Sequence, residues 1–274
     1  MSNRTWFVTG CSTGFGRALA QALLERGERV VVTARKRDML AELIESHAAR
    51  ALALSLDITC QTEIDAAAKM AIERFGSIDV LVNNAGYGAV GTVEETSIDV
   101  ARAMMETNYF GTLAVIRAVV PHMIRAQSGQ VVNIGSVAGQ IGFPLLAYYC
   151  ASKFALAGMS ESLAAELRPL GISVTLAELG PFATNFATSM TVNTPAAHYD
   201  AAALSRTAGN AGWGAGHDPK LGVEALLTAL GRPDPPVRII LGQRAVEVTA
   251  LHEARRAIER ENWLSVSLLA KAPG

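Results

Sequence analysis

The chain has 274 residues, half of them hydrophobic, and its 24 Lys and Arg nearly balance 25 Asp and Glu. That balance argues against nucleic acid as a partner, and no uncharged apolar stretch reaches the ~18 residues of a membrane span. Three cysteines (Cys11, Cys60, Cys150) and five scattered histidines give neither a disulfide framework nor ligand spacing, so a reducing compartment and no metal are expected.

Thr5–Thr9 reads as a short apolar strand running into Gly10-Cys11-Ser12-Thr13-Gly14-Phe15-Gly16. The start leaves no room for a leader peptide, so a soluble cytoplasmic protein is expected. A helical pattern from Ala18 closes at Gly27, and a second strand follows over 29–34. Apolar runs predict further strands at 51–56, 78–82, 130–134, 173–177 and 237–241. Helices are expected at about 36–47, 63–75, 98–126, 149–170 and 218–230, the last opened by the cap pair Asp218-Pro219. Gly111 and Pro121 predict a break or bend within 98–126. The tail, 243–274, reads as a helical extension that ends at Trp263 and covers either a pocket or an interface. Strands alternate with helices without linker or repeat, which predicts one α/β domain over 1–274 with a doubly wound sheet.

Two stretches carry chemistry. In the strand–turn–helix–strand unit at the start, Gly10 permits a tight turn, Gly14 lets backbone amides approach a pyrophosphate, and Gly16 lets helix and strand pack closely. Tyr149 and Lys153 are i and i+4 neighbours, so phenol and ammonium share a helix face. Ser136 closes the apolar run of 130–135, at the strand end where α/β sheets bind ligands. A free tyrosine titrates near ~10, so a useful base at neutral pH requires ~4 kcal/mol of help, expected here from a partly desolvated Lys153. Cys150, with no neighbouring His, reads as a packing residue, and His217 as a loop or cap residue.

Together, Thr9-Gly10-x-x-x-Gly14-x-Gly16, Asn83-Asn84-Ala85-Gly86, Ser136 and Tyr149-x-x-x-Lys153 resemble the shorter subgroup of the short-chain dehydrogenases/reductases over about residues 4 to 245. Asn108 matches the fourth catalytic position of that family. Gly180-Pro181 followed by Thr184 matches its Pro-Gly-x-x-x-Thr region with the first pair reversed, behind a Glu178-Leu179 lead. The resemblance implies a Rossmann-type, seven-stranded parallel sheet in the order 3-2-1-4-5-6-7, and a homo-oligomer (dimer or tetramer) is open. It implies hydride transfer with Ser136 bonded to the substrate oxygen and Tyr149 as acid/base. Lys153 tunes the phenol and holds the nicotinamide ribose, and Asn108 binds a relay water through its main chain. It places the cofactor on Gly10, Ser12, Thr13, Gly14, Phe15, Gly16, Asp57, Ile58, Asn84, Ala85, Gly86, Tyr149, Lys153, Pro181, Phe182 and Thr184. Asp57 is expected at the adenine amino group, with capping of the next turn as its alternative.

The second strand ends Thr33-Ala34-Arg35-Lys36-Arg37, without the acid that binds NAD ribose hydroxyls. Small Ala34 and forked Arg35 favour the 2′-phosphate of NADP(H). Thr13 lacks a second basic group, which leaves NAD(H) open. The substrate lid is expected over 182–217, a segment with several apolar side chains, a glycine-rich run at 208–216, and no Arg or Lys between Gly180 and Ser205. A small hydrophobic ketone, aldehyde or alcohol fits, touching Ser136, Tyr149, Phe143 and Phe182, with Tyr87 and Tyr148 as further lining candidates. The alternative is a non-catalytic dinucleotide-sensing regulator on the same fold.

Overall fold

Seven parallel strands form the centre of the computed structural model, which describes residues 4–186, 189–192, 198–200, 203–204 and 216–270. They are β1 (Thr5–Val8), β2 (Arg29–Ala34), β3 (Ala51–Ser55), β4 (Val80–Asn83), β5 (Gly129–Ser136), β6 (Ile172–Leu179) and β7 (Arg238–Leu241). Their order is β3-β2-β1-β4-β5-β6-β7, as the resemblance implied. Trp6 stands beside Val30 and Val80, and Ser136 beside Leu179, so the carboxyl ends of the strands form one rim.

Side chains alternate across each strand, and both sets are apolar because both faces are covered. Trp6, Val8, Val30 and Val32 pack with Leu19 and Leu23 of α1 (Gly14–Glu25) and Val223 and Leu226 of α7 (Pro219–Leu230). On the other face, Phe7, Val31, Leu81 and Val131 meet α3 (Gln61–Phe75), α5 (Thr112–Ala126) and the end of α6 (Ala147–Leu167). A satellite cluster at the rim joins Phe143, Tyr149, Met190 and Ala245, with Tyr87, Tyr148 and Phe186 against it.

Two elements differ from expectation, and one expected break is located. The predicted helix over 36–47 is a tight turn at Arg37–Leu40 followed by a short α2 (Ala41–Glu45). The stretch 98–126 is divided into α4 (Ile98–Met105), a π-helical turn at Glu106–Gly111, and α5, so the break falls at the turn and Pro121 stays inside α5. The reason is packing: a Cβ at Gly111 would lie 2.8 Å from the Ile58 carbonyl, so the turn is pressed onto the loop after β3. The tail helix, α8 (Gln243–Ser267), runs past Trp263. Among the described residues no helix is long and apolar enough to cross a membrane, and no group of three His, Cys, Asp or Glu could hold a metal.

Candidate active site

The glycine-rich turn leaves β1 with Gly10 at φ +72° and Gly14 at φ +63°, conformations that favour glycine. A Cβ on Gly16 would collide with Asn84 Nδ2 and sit 2.5 Å from the Gly10 carbonyl, so the close contact there is with the loop after β4. Asn84 Nδ2 donates to the carbonyls of Thr9 (3.0 Å) and Gly10 (2.9 Å), and Thr9 Oγ1 accepts from the amides of Asn84 (2.9 Å) and Ala85 (3.0 Å). Asn84 thus spends its amide on holding the turn, a role the motif alone did not reveal. Thr13 caps α1 without a side-chain hydrogen bond, and the first turn holds no acid, so the positive helix end is open to an anion. Ser12 is half-buried and Thr13 exposed on this turn. Thr184 lies across from it, its Cβ 3.5 Å from where a Gly14 Cβ would stand. This cradle fits a dinucleotide pyrophosphate.

At the end of β2, Ala34 is buried while Arg35, Lys36 and Arg37 are exposed. Arg37 Nε donates to the Ala53 carbonyl (3.1 Å), and nearby Arg17 is paired with Glu42 (2.8 Å). Arg35 has no ion pair among the described residues, and its charge reaches Asp57 and Tyr87. Asp57 Oδ1 accepts from the Thr59 amide (2.9 Å) and hydroxyl (2.7 Å), so it does cap the following turn. Those bonds, and to a smaller degree Arg35, hold its carboxyl below the usual range. Ile58 is buried beside the π-helical turn.

The polar groups converge at the carboxyl ends of β4 and β5. The Ser136 hydroxyl accepts from the Ala138 amide (3.1 Å) and is near enough to the Tyr149 phenol to favour its ionised form. Lys153 Nζ donates to the Ile134 carbonyl (2.9 Å) and lies 5.9 Å from the centre of the Tyr149 ring. A Cβ on exposed Gly86 would approach Lys153 Nζ at 3.8 Å and Asn108 Oδ1 at 3.0 Å, so the floor here is bare backbone. The Asn108 side chain clasps Tyr87, accepting from its amide (3.1 Å) and donating to its carbonyl (2.9 Å) and to Ser152 Oγ (3.0 Å). Ser152 was missed in the sequence. Its signal was a small polar residue between Tyr149 and Lys153.

The expected downward pull of Lys153 on the phenol is corrected by this geometry. Burial raises the Tyr149 phenol well above the ordinary tyrosine range, and the Ser136 hydrogen bond opposes it without reversing it. The same burial lowers Lys153 to about 8. Lys153 Nζ is directed at the Ile134 carbonyl, and burial, Ser136 and Cys150 are what shift the phenol.

The ring of Phe182, a residue expected beside both cofactor and substrate, packs on Phe15 of α1 (ring centres 5.6 Å apart) and against Gly222 of α7. Pro181 accepts from the His217 amide (3.1 Å), fixing that wall, and His217 is a loop residue as expected. The ring against Tyr149 is Phe186, at 5.7 Å, and Met190 covers Gly88. Both were read only as members of an apolar segment, since spacing does not tell which side of a loop turns inward. Phe143 is buried in the same cluster, its amide bonded to Cys150 Sγ (3.4 Å). Tyr148 anchors the Val93 carbonyl (2.9 Å). Leu145 adopts φ +66°, and its carbonyl accepts from Gly91 (2.8 Å). The glycine-rich run at 208–215, including Trp213, lies outside the described residues.

This fold and site belong to a nucleotide-dependent oxidoreductase class, and comparison with known proteins agrees. Residues 4–194 match the short chain dehydrogenase family. Human 17-beta-hydroxysteroid dehydrogenase type 1 is 34% identical over 264 residues, covering 89% of this chain and 79% of its own. A short-chain dehydrogenase from Streptomyces avermitilis is 37% identical, with a TM-score of 0.90 over 99% of this chain and 100% of that one. Another from Burkholderia cenocepacia J2315, in complex with NADP, is 29% identical, with a TM-score of 0.76 over 96% and 99%. The chain belongs to the short-chain dehydrogenase/reductase family, whose members act on CH–OH groups.

Proposed function

We propose that the protein is an NADP(H)-dependent oxidoreductase that interconverts a hydrophobic ketone or aldehyde with its alcohol. The observation that carries the reading is the convergence of Ser136 at the end of β5, the buried Tyr149 phenol and buried Lys153, whose Nζ lies 5.9 Å from the Tyr149 ring centre, with the uncapped start of α1 after the glycine-rich turn. The nicotinamide supplies or accepts the hydride when bound. Ser136 receives the Ala138 amide on its oxygen, and its proton, directed toward Tyr149 here, would turn to a substrate oxygen placed between the two hydroxyls. Tyr149, kept protonated by burial, gives that oxygen its proton during reduction and takes it back during oxidation. Lys153 would hold the ribose, and Asn108 positions the Tyr87 backbone beside it. The open positive end of α1 and Arg35, which makes no ion pair among the described residues, suit a pyrophosphate and a 2′-phosphate. Support for a lipophilic substrate comes from the apolar cluster around Tyr149 and from the steroid named for the human relative. The expected lid over 182–217 and the single-domain organisation belong to this reading, as does a soluble, cytoplasmic setting.

The test is a panel of hydrophobic ketones and secondary alcohols, followed by nicotinamide absorbance with each cofactor. Turnover with NADPH on lipophilic ketones is expected. Tight NADPH binding without turnover on any of them would replace this reading with the dinucleotide-sensing regulator.

A further inference from the structure

A general acid must touch the oxygen that it protonates, yet Tyr149 is only 4% exposed. Its own loop supplies part of the cover, since Phe143 and Leu146 are buried with it in the rim cluster. The rest comes from the segment after β6. Met190 is buried in the same cluster, and the Phe186 ring stands 5.7 Å from the Tyr149 ring at an interplanar angle of 51°. Phe186 is only half-buried, which makes it an outer member of the cover.

The backbone that carries this ring is fastened. The Phe186 amide donates to Thr184 Oγ1 (3.3 Å), and its carbonyl accepts from the Ser189 amide (3.2 Å) and hydroxyl (2.8 Å). The ring is held differently, by apolar contact alone. A phenyl group has no hydrogen bond to break, and a change of χ1 leaves the backbone bonds in place. What opposes the swing is the apolar area that Phe186 and Tyr149 would expose to water.

We infer that Phe186 is a specificity-determining residue, a stopper on Tyr149 that a ketone carrying a ring-sized apolar group displaces and a small linear ketone does not. The inference rests on the oxidoreductase reading above and names its substrate class: ketones with a cyclic or aryl group beside the carbonyl. Such a group refills the place of the phenyl ring with comparable apolar area, whereas a short alkyl chain leaves part of it wet. Full burial of an aromatic side chain corresponds to roughly 10- to 150-fold in an equilibrium, and a half-buried ring takes the lower end. Phe186 thus selects by the apolar area offered, while Ser136, Tyr149 and Lys153 treat every carbonyl alike.

The test uses the full chain, NADPH and two methyl ketones that differ in one group, 2-butanone and cyclohexyl methyl ketone. The parent should favour the cyclic ketone in kcat/KM. Phe186→Ala should lower that preference at least about ten-fold, chiefly by speeding 2-butanone, and Phe186→Tyr, which keeps the ring, should retain it. A second readout needs no turnover: acetylation of Tyr149 by N-acetylimidazole, mapped by mass spectrometry. Tyr149 should be protected in the parent and in Phe186→Tyr, and should react at least about ten-fold faster in Phe186→Ala while the far-ultraviolet spectrum stays that of the parent. An unchanged ketone preference in Phe186→Ala would overturn the proposal, as would an unchanged acetylation rate. So would equal loss of protection in Phe186→Tyr, since the ring would then not be the stopper. If the parent reduces neither ketone, the oxidoreductase reading is what fails, and the acetylation contrast still decides whether Phe186 covers Tyr149.

Discussion

Replacing Tyr149 by Phe removes the phenol oxygen and keeps the ring against Phe186. Turnover should fall by more than ~10²-fold while NADPH affinity, read by fluorescence titration, stays near that of the parent. A variant reducing ketones at the parent rate would remove Tyr149 from the mechanism. Lys153 makes a different argument because burial lowers it to about 8 from 10.5. Between those values the folded protein binds fewer protons than the unfolded chain, so stability rises with pH there, and below about pH 8 the charged lysine costs the fold its full penalty. Relative to the parent, Lys153→Met should therefore gain roughly 1–3 kcal/mol on going from pH 10.5 to 7, read by urea unfolding at both pH values. Reduction that depends on the ammonium should decline as pH rises through about 8, and most of it should vanish in Lys153→Met. A stability difference independent of pH would show that Lys153 titrates normally. For Arg35, one charge-assisted hydrogen bond to a 2′-phosphate is worth ~1.5–3 kcal/mol, or roughly 10- to 150-fold. Arg35→Ala should weaken NADPH by that order and leave NADH little changed, and Ala34→Asp added to it should turn preference to NADH. Equal weakening of both cofactors would end the NADP assignment.

The turn between β1 and α1 is set by contacts from the next strand over. Asn84 and Thr9 tie the ends of β1 and β4 together, and Gly16 is the point where α1 comes closest to that tie. A methyl group there meets Asn84 Nδ2 and the Gly10 carbonyl, backbone that cannot yield without moving the turn. Gly16→Ala should cost ~1–3 kcal/mol by overpacking and lower cofactor affinity with it, checked by thermal unfolding and titration on the same sample. Parent-like values for both would mean that the loop relaxes freely. The π-helical turn at Glu106–Gly111 acts at the same scale, since it brings Asn108 under Tyr87 and lets Thr112 Oγ1 donate to the Asn108 carbonyl (3.2 Å).

Across the molecule, the last strand is fastened by one buried charge. Glu178 on β6, 1% exposed, accepts from Arg238 on β7, which also meets Glu161 of α6. Burial raises Glu178, with Arg238 and Gln140 opposing. Arg238→Met strands that carboxylate in the interior and should destabilise the protein by ~3–5 kcal/mol at neutral pH. The deficit should shrink as pH falls, because the orphaned Glu178 can take a proton, and adding Glu178→Gln should recover part of it. Urea midpoints of parent and variants from pH 5 to 8 check this, and a deficit that grows toward pH 5 would contradict it. Glu178 opens the reversed Gly180-Pro181 segment, so the unusual lead belongs to this joint between β6, β7 and α6.

The sequence by itself determined the seven strands and their alternation, because Trp6, Phe7 and Val8 and their equivalents are apolar on both faces and only a doubly covered parallel sheet buries both. It also determined which residues stand at the rim, since Gly10, Ser136, Tyr149 and Lys153 carry their chemistry in local spacing. Spacing could not show that Phe182 faces α1 while Phe186 faces Tyr149, because four residues along a loop have no fixed period. The sequence named both Gly111 and Pro121 as break points, and only the close contact of Gly111 with Ile58, which joins segments distant in the chain, decided for Gly111. The protonation of Tyr149 was decided the same way. A lysine one helical turn away suggests a lowered phenol, but desolvation depends on everything packed around the ring, and only the tertiary structure sets that sum.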